Sequence, residues 1–277
     1  MKIDNVIMSV NDNPKYQRLW PLAAKVWKER FGINPVLYWV TNEQIDFPFP
    51  ASCGQVLRLP ILQDYTTVQQ SQVARIWGAC QIEGINIISD LDMIPISQTY
   101  FVNLLEKYDS KKLVHLNVSP EYIERLHRLA LCYYVGSREI FQAFIQPGES
   151  WIKFARLVYE RMISPEFPDD PNSHSTQLQD EGFLYKQLIN YYWTHPFDVI
   201  LCPRWSWHHT LGRNAWDFHL KNNTLISYLP NCWDLHLQPR DDKEYQILTD
   251  VIDQILQLPQ KIDPKVKQKI NRIKKKW

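Results

Sequence analysis

Two carboxylates, Asp90 and Asp92, close the apolar run in "NIISDLDMIPIS", residues 86 to 97. In an extended or turning segment the side chains at i and i+2 project to one side, so these two acids converge while Leu91 faces away. Converged carboxylates repel unless a cation separates them. Mg2+ or Mn2+ suits the task, because a hard divalent ion prefers oxygen ligands and keeps coordination positions for phosphate oxygens. The pair therefore predicts a metal and diphosphate site, with Pro95 stiffening the exit. A bare D-x-D also arises by chance, and paired acids are commonly solvated surface. Two features set this pair apart: the apolar segment before it, and Arg75, the one cation in the stretch 66–82.

The elements that must position these acids alternate. "NVIMSV" (5–10), "PVLYWV" (35–40), "GQVLRL" (54–59) and "INIIS" (85–89) read as strands. Between them, 15–32 has Leu19, Leu22, Ala23, Val26 and Phe31 at helical spacing and Gly32 as a stop. Residues 66–82 form a second helix with Val68, Gln72 or Val73, Ile76 and Ala79 or Cys80 on one face. Continuous apolar strands alternating with helices predict an α/β fold with a mainly parallel sheet between helices. In such sheets ligands bind beyond the carboxyl ends of the strands, where Asp90 and Asp92 would sit.

The second half is less regular. Residues 112–118, 128–136 and 197–202 read as strands, and 151–162, 180–193 and 245–256 as helices. A Pro, Asp, Asn and Ser-rich loop spans 164–176, and "LISYLP" (225–230) reads as a late strand returning to the site. With no repeat and no Gly/Ser linker, 1–260 is expected to be a single domain, followed by a basic tail, 261–277.

Composition bounds the function. The 277 residues are 45% hydrophobic and 22% charged, enough to bury a large core, and 31 basic against 30 acidic residues leave a net charge of +1. That balance argues against nucleic acid as a partner. The tail "KVKQKINRIKKKW" allows at most peripheral contact with an anionic membrane, and a solvated helical end is the simpler account. The 5 cysteines are scattered without CxxC spacing, so neither a disulfide framework nor a cysteine zinc site is expected. With no signal-peptide pattern and no long apolar run, the expected setting is soluble and cytoplasmic. The 11 tryptophans and 14 tyrosines suit stacking on sugars and bases, although core packing explains most aromatics.

The stretch "SQVARIWGACQIEGINIISDLDMIPIS" (71–97) resembles the helix, strand and DxD order of nucleotide-sugar glycosyltransferases of the GT-A fold. The opening "VIMSVNDNPKYQRLWPLAAKVWKERFGINPVLYWV" is similar to their first β–α–β unit. The likeness covers the first hundred residues, the nucleotide-sugar half, and extends to the acceptor-side half, 101–260, by element order. More loosely, the chain resembles small single-domain members from large algal DNA viruses and bacteria. The resemblance implies a GT-A, Rossmann-like fold and transfer of a hexose or pentose from a nucleotide-diphosphate sugar, most often UDP-linked, to a glycan or glycoprotein. Asp90 and Asp92 would hold Mn2+ or Mg2+, with Leu91 between them. Val10, Asn11 and Asp12 would line the nucleoside pocket, with Tyr16 as a stacking partner, and Arg75 would approach the sugar or phosphates. For Asn11 and Asp12 an Asx turn is an equal alternative.

Family members commonly add a histidine as a further metal ligand. Of His208, His209, His219 and His236, the choice falls on His236, which follows the expected late strand and is flanked by Asp234 and Arg240. An inverting enzyme also needs a carboxylate base opposite the metal. Asp180, and after it Glu181, opens a helix whose dipole stabilises anions, although capping alone would use the same residues. Two other classes compete. A haloacid-dehalogenase-type phosphohydrolase also uses D-x-D, but in its first strand rather than the fourth and with Thr or Val two residues on, where this chain has Ile94. A glycan- or nucleotide-binding module without turnover would keep the first site and not need the second.

Overall fold

The computed structural model describes residues 1–118, 129–162, 179–203 and 209–258; the side chains of 161, 162, 179, 180 and 203 are not among those described. The expected loop at 164–176, the tail, and His208 lie outside the described residues.

The apolar runs of the first half form β1 (Asn5–Val10), β2 (Asn34–Val40), β3 (Gln55–Leu59) and β4 (Ile85–Ile88), all pairing in parallel. β1 is buried at every position, as befits a strand covered on both faces. With β6 (Leu113–Val118), β7 (Tyr134–Ser137) and β8 (Val199–Pro203) the sheet has seven strands in the order β3-β2-β1-β4-β7-β6-β8. β7 is antiparallel to β4 and to β6, and β6 is parallel to β8. The other six strands thus present their carboxyl ends at one edge. The protein is a mixed α/β structure with a mainly parallel sheet flanked by helices, as expected.

The strand expected over 128–136 is shorter and later. Its first part turns left-handed at Tyr133 (φ 70°), a fully buried residue in a region bulky side chains avoid. The Tyr133 N–H donates to the Ile88 carbonyl at 2.6 Å and its own carbonyl accepts from Leu116 N–H, so the turn seats β7 between β4 and β6.

The helix expected over 15–32 is broken into α1 (Pro14–Gln17), α2 (Trp20–Lys25) and a π turn, Val26–Arg30. Pro21 lacks the N–H that a continuous helix would use and instead sits in the first turn of α2. Leu19, Leu22, Ala23 and Val26 are buried as their spacing requires, and Gly32 (φ 67°) ends the element. α3 (Thr67–Ala79) is capped by the Thr66 side chain. It lies so close to β1 and β2 that a Cβ on Gly78 would come within 2.3 Å of the Tyr38 ring. Val68, expected on the inner face, is exposed, while Gln69, Gln70 and Arg75 are buried. α3 packs against both the sheet and neighbouring helices, so its buried surface is wider than one apolar stripe.

α4 (Arg138–Ile145), α5 (Trp151–Met162) and α6 (Gln179–Thr194) join α3 over one face of the sheet, where Ile7, Val73, Phe154 and Leu184 share a core. The other face is covered by α2, α9 (Asp242–Gln257) and a small three-stranded sheet, around Val6, Met8, Trp216 and Val251. That sheet runs β5 (Met93–Pro95), β10 (Asp234–His236), β9 (Thr210–Leu211), and α7 (Arg213–Lys221) follows β9. The strand expected at 225–230 is a correction. It is a helical turn, α8 (Leu225–Tyr228), followed by a 3-10 turn at Leu229–Asn231, because Leu225 and Leu229 are both buried on one helical stripe. The strand that returns to the DxD segment is β10 itself. No helix among the described residues is long and apolar enough to cross a membrane.

Candidate active site

The strand order reverses between β1 and β4: the chain leaves β1 for β2 and β3 on one side, then returns to β4 on the other. That switch point opens a crevice at the carboxyl edge. Asn11 and Asp12 leave β1 there, and Asp90 to Asp92 leave β4 there.

Asp90 and Asp92 flank a buried Leu91, whose side chain joins the core with Met93 and Ile94. The Asp90 and Asp92 side chains are 24% and 16% exposed, respectively. Each meets a different protein cation. Asp90 pairs with Nη1 of Arg75, which α3 delivers from beneath the edge. Arg75 is almost wholly buried, and its Nε has no hydrogen-bond partner among the described residues. Asp92 lies 3.6 Å from Nε2 of His236. The small sheet fixes that approach: His236 pairs with Met93 across β10 and β5, and Leu237 N–H donates to the Asp92 carbonyl at 3.1 Å.

The electrostatics follow from burial and charge. Burial pushes the Asp90 carboxyl up, with Arg75 opposing. For Asp92 burial acts upward too, but His236, with help from Arg75, outweighs it and brings the carboxyl below its ordinary value. Asp92 raises the His236 imidazole to about 9 against the opposing effect of burial. At 3.6 Å this is a close ion pair rather than a hydrogen bond of good geometry, and the half-exposed ring leaves it screened by solvent. Tyr16, half-buried on α1, has its phenol raised first by burial and then by Asp92 and Asp90, so its hydroxyl feels both acids.

On the β1 side, the Asp12 carboxylate accepts from Trp39 Nε1 at 2.7 Å and from Thr41 Oγ1 at 3.1 Å. Both donors come from the end of β2, and sequence reasoning missed them. Asn11 is spent on the framework: its amide donates to Thr67 Oγ1, its side-chain oxygen accepts from Asn13 N–H, and its carbonyl accepts from Gln17 Nε2. The bond to Asn13 is the Asx turn that its sequence allowed. Val10 is the buried last residue of β1.

α6 begins at the same edge. The Glu181 carbonyl accepts from Leu129 N–H at 3.4 Å, just ahead of β7, and the Glu181 charge adds to the burial that raises the Tyr134 phenol. Asp180 belongs to the first turn of α6, but its side chain lies outside those described. The other described histidines are engaged elsewhere. His209 stacks on Trp233 at 4.3 Å, and His219 on Tyr228 at 3.9 Å. Arg240, expected beside His236, instead pairs with Asp217 and Glu244.

Among the described residues no three metal-ligating side chains are already gathered closely enough to hold an ion. The edge instead carries two partly exposed acids, each facing a protein cation.

No family model matches the sequence, and no curated protein matches it. Among solved structures, the chain is similar to that of the galactosyltransferase LgtC in complex with donor and acceptor sugar analogues. The identity is 11%, the TM-score is 0.47, and the match covers 96% of this chain and 99% of that one.

Proposed function

We propose that the chain is a metal-dependent glycosyltransferase of the GT-A type that moves a sugar from a nucleotide-diphosphate donor, a UDP-sugar, to a glycan or glycoprotein acceptor. One observation carries this reading. Asp90 and Asp92 stand at the β1–β4 switch point with Arg75, Tyr16 and His236 around them, supplied by three other elements. The donor types suit a hard divalent ion: two carboxylates at one edge, with an imidazole 3.6 Å from the second. Asp90, Asp92 and His236 would hold Mn2+ or Mg2+, whose chemistry when bound is to offset the charge of a departing diphosphate.

The chain's own residues do the rest. Arg75, whose guanidinium stands against Asp90, would meet phosphate or sugar oxygens brought to that acid. Asp12, fixed by Trp39 and Thr41, is an oriented acceptor for a nucleoside hydroxyl or N–H, and Tyr16 supplies a ring face. Val10 and Asn11 form the floor, and Leu91 anchors the turn that presents the two acids. In the inverting reading, Asp180 or Glu181 takes the proton of the acceptor hydroxyl as its oxygen bonds to the anomeric carbon and the bond to the diphosphate breaks. Residues 1–260 act as one catalytic unit in this reading.

The deciding experiment titrates UDP-sugars against the protein with and without Mn2+. Metal-dependent binding and turnover, both lost in Asp92→Ala, are expected. If no nucleotide sugar binds in a metal-dependent way, or Asp92→Ala turns donor over as the parent does, the reading fails. Release of phosphate from a generic aryl phosphate would point to a phosphohydrolase instead.

A further inference from the structure

Of the ten large hydrophobic residues that stand exposed among those described, five fall within 189–201: Ile189, Tyr192, Trp193, Phe197 and Leu201. Trp193 is 77% and Phe197 85% exposed, the two most open of all. The pattern follows from α6. Its Leu184, Leu188 and Tyr191 are buried in the core over the sheet, so Ile189, Tyr192 and Trp193, at i, i+3 and i+4, form a second apolar stripe turned away from that core. Phe197 follows in the turn before β8. Leu201 lies on the same side of the sheet as α6. Val199, two residues earlier in β8, packs against the core beneath α6, whereas Ile200 and Cys202 pack against the core of the other face.

β8 is itself an open edge. It ends the sheet order, and among the described residues no strand lies on its outer side. Leu113 N–H on β6 donates to the Asp198 carbonyl at 2.8 Å, and Leu113 pairs with Val199. In such a ladder alternate residues serve one neighbour, so Asp198 and Ile200 face β6 while Val199 and Leu201 turn their N–H and C=O groups outward. Proteins commonly blunt an edge of this kind with charge or proline. β3, the opposite edge, carries Arg58 and follows Pro48 and Pro50. β8 has no charged residue, and its only proline, Pro203, comes last. The acid just before it, Asp198, is paired with Lys112 at 3.0 Å.

We propose that a second copy of this chain covers this surface, through antiparallel pairing of β8 with β8 about a two-fold axis at Ile200. Val199 of each copy then exchanges backbone hydrogen bonds with Leu201 of the other, and the two sheets become one. An axis perpendicular to the sheet puts both α6 helices on the same face, so Tyr192, Trp193 and Phe197 meet their counterparts. The surface is self-complementary. Residues 187–197 contain no Asp, Glu, Lys or Arg, so the copies do not repel, and an anionic membrane finds no cation there to attract. At about 200 Å² per aromatic side chain, the three aromatics expose about 400 Å². With Ile189 and Leu201 included, two copies bury about 1,000 Å², the size at which specific interfaces begin. α6 starts at the carboxyl edge of the sheet and its last turn precedes β8, so the patch lies toward the opposite edge and both crevices stay open in the pair.

Sedimentation of the full chain over a dilution series tests this. The parent should sediment at twice the chain mass and dissociate on dilution, while Trp193→Glu and Leu201→Lys should each weaken association at least about tenfold. Both positions are exposed, so the circular dichroism of each variant should match the parent's. A second readout tests the register. Ile200→Cys sets two thiols across the axis at a non-hydrogen-bonded pair, with Cα atoms about 4.5 Å apart, within the span of a disulfide. Mild oxidation should cross-link this variant, and Leu201→Cys, which faces Val199 of the other copy, should cross-link far less. The proposal is overturned if the parent is a monomer at every concentration, or if Trp193→Glu and Leu201→Lys associate as the parent does. Equal cross-linking of the two cysteine variants would overturn the pairing about Ile200. A monomer that phosphatidylcholine vesicles capture through Trp193 would overturn the second copy in favour of a membrane.

Discussion

Nε2 of His236 lies 3.6 Å from Oδ2 of Asp92, although 144 positions separate them, because β10 pairs with β5 so that His236 faces Met93. Backbone pairing, not the imidazole, holds the strand in place. His236→Ala should therefore leave the fold intact while removing the proposed third ligand and the cation opposite Asp92. Mn2+ affinity, measured by titration calorimetry, is expected to fall by about tenfold or more. An unchanged affinity would remove His236 from the site.

Trp39 sets the Asp12 carboxylate from a neighbouring strand at 2.7 Å. A hydrogen bond to a charged group contributes roughly 1.5–3 kcal/mol, so Trp39→Phe, which keeps the ring packing, should weaken nucleotide-sugar binding by about tenfold or more. Mn2+ binding should hardly change, because the acids leaving β4 are untouched. Equal losses of metal and donor would mean that Trp39 acts on the fold rather than on Asp12.

The parts of this site carried by unbroken runs were legible in the sequence. The strands ending at Val10 and Ile88, the helix bearing Arg75, and the i, i+2 placement of Asp90 and Asp92 all follow from local periodicity. What periodicity could not reveal came from chain segments too short to show it. β5, β9 and β10 are three, two and three residues long, so the sheet that delivers His236 left no pattern. The choice of that histidine rested on a strand at 225–230 that is in fact helical. Trp39 read simply as a strand residue and Thr41 lay just past the expected strand, and only the parallel register of β1 and β2 brings them beside Asp12. The late start of the strand at Tyr134 depends on a left-handed turn at Tyr133, where no glycine announces it.

His115 gives the fold a pH dependence independent of Asp90, Asp92 and His236. It is fully buried on β6, stacked on the cross-strand Tyr134 at 4.0 Å, and burial pushes its pKa down to about 3. The Ala130 and Cys132 backbones soften that shift, although neither ring nitrogen makes a hydrogen bond of good geometry. The folded pKa is below the unfolded one, so the unfolded state binds the extra proton. The stability from this group is present above about pH 6.5 and is lost as pH falls toward 3. Between pH 7 and 4 the loss attributable to His115 should be about 3 kcal/mol. Urea unfolding across that range should show the loss in the parent and a correspondingly flatter profile in His115→Phe; parallel profiles would show that the imidazole is not held neutral.

Glu181 and Asp180 open α6 at the same edge as the acids leaving β4, and the roles of capping and catalysis separate by substitution. Gln keeps the shape of Glu and some capping capacity but cannot accept the acceptor's proton. If Glu181 is the base, Glu181→Gln should bind the UDP-sugar with the parent's affinity and lose about a hundredfold or more in transfer rate. Asp180→Asn should then be nearly silent; if Asp180 is the base, the two results exchange. Thermal unfolding distinguishes a cap, since a purely structural role lowers the melting temperature and leaves the transfer rate of the folded fraction intact. Full transfer in both variants, with donor binding preserved, would discard the inverting base and leave these acids to position the acceptor sugar.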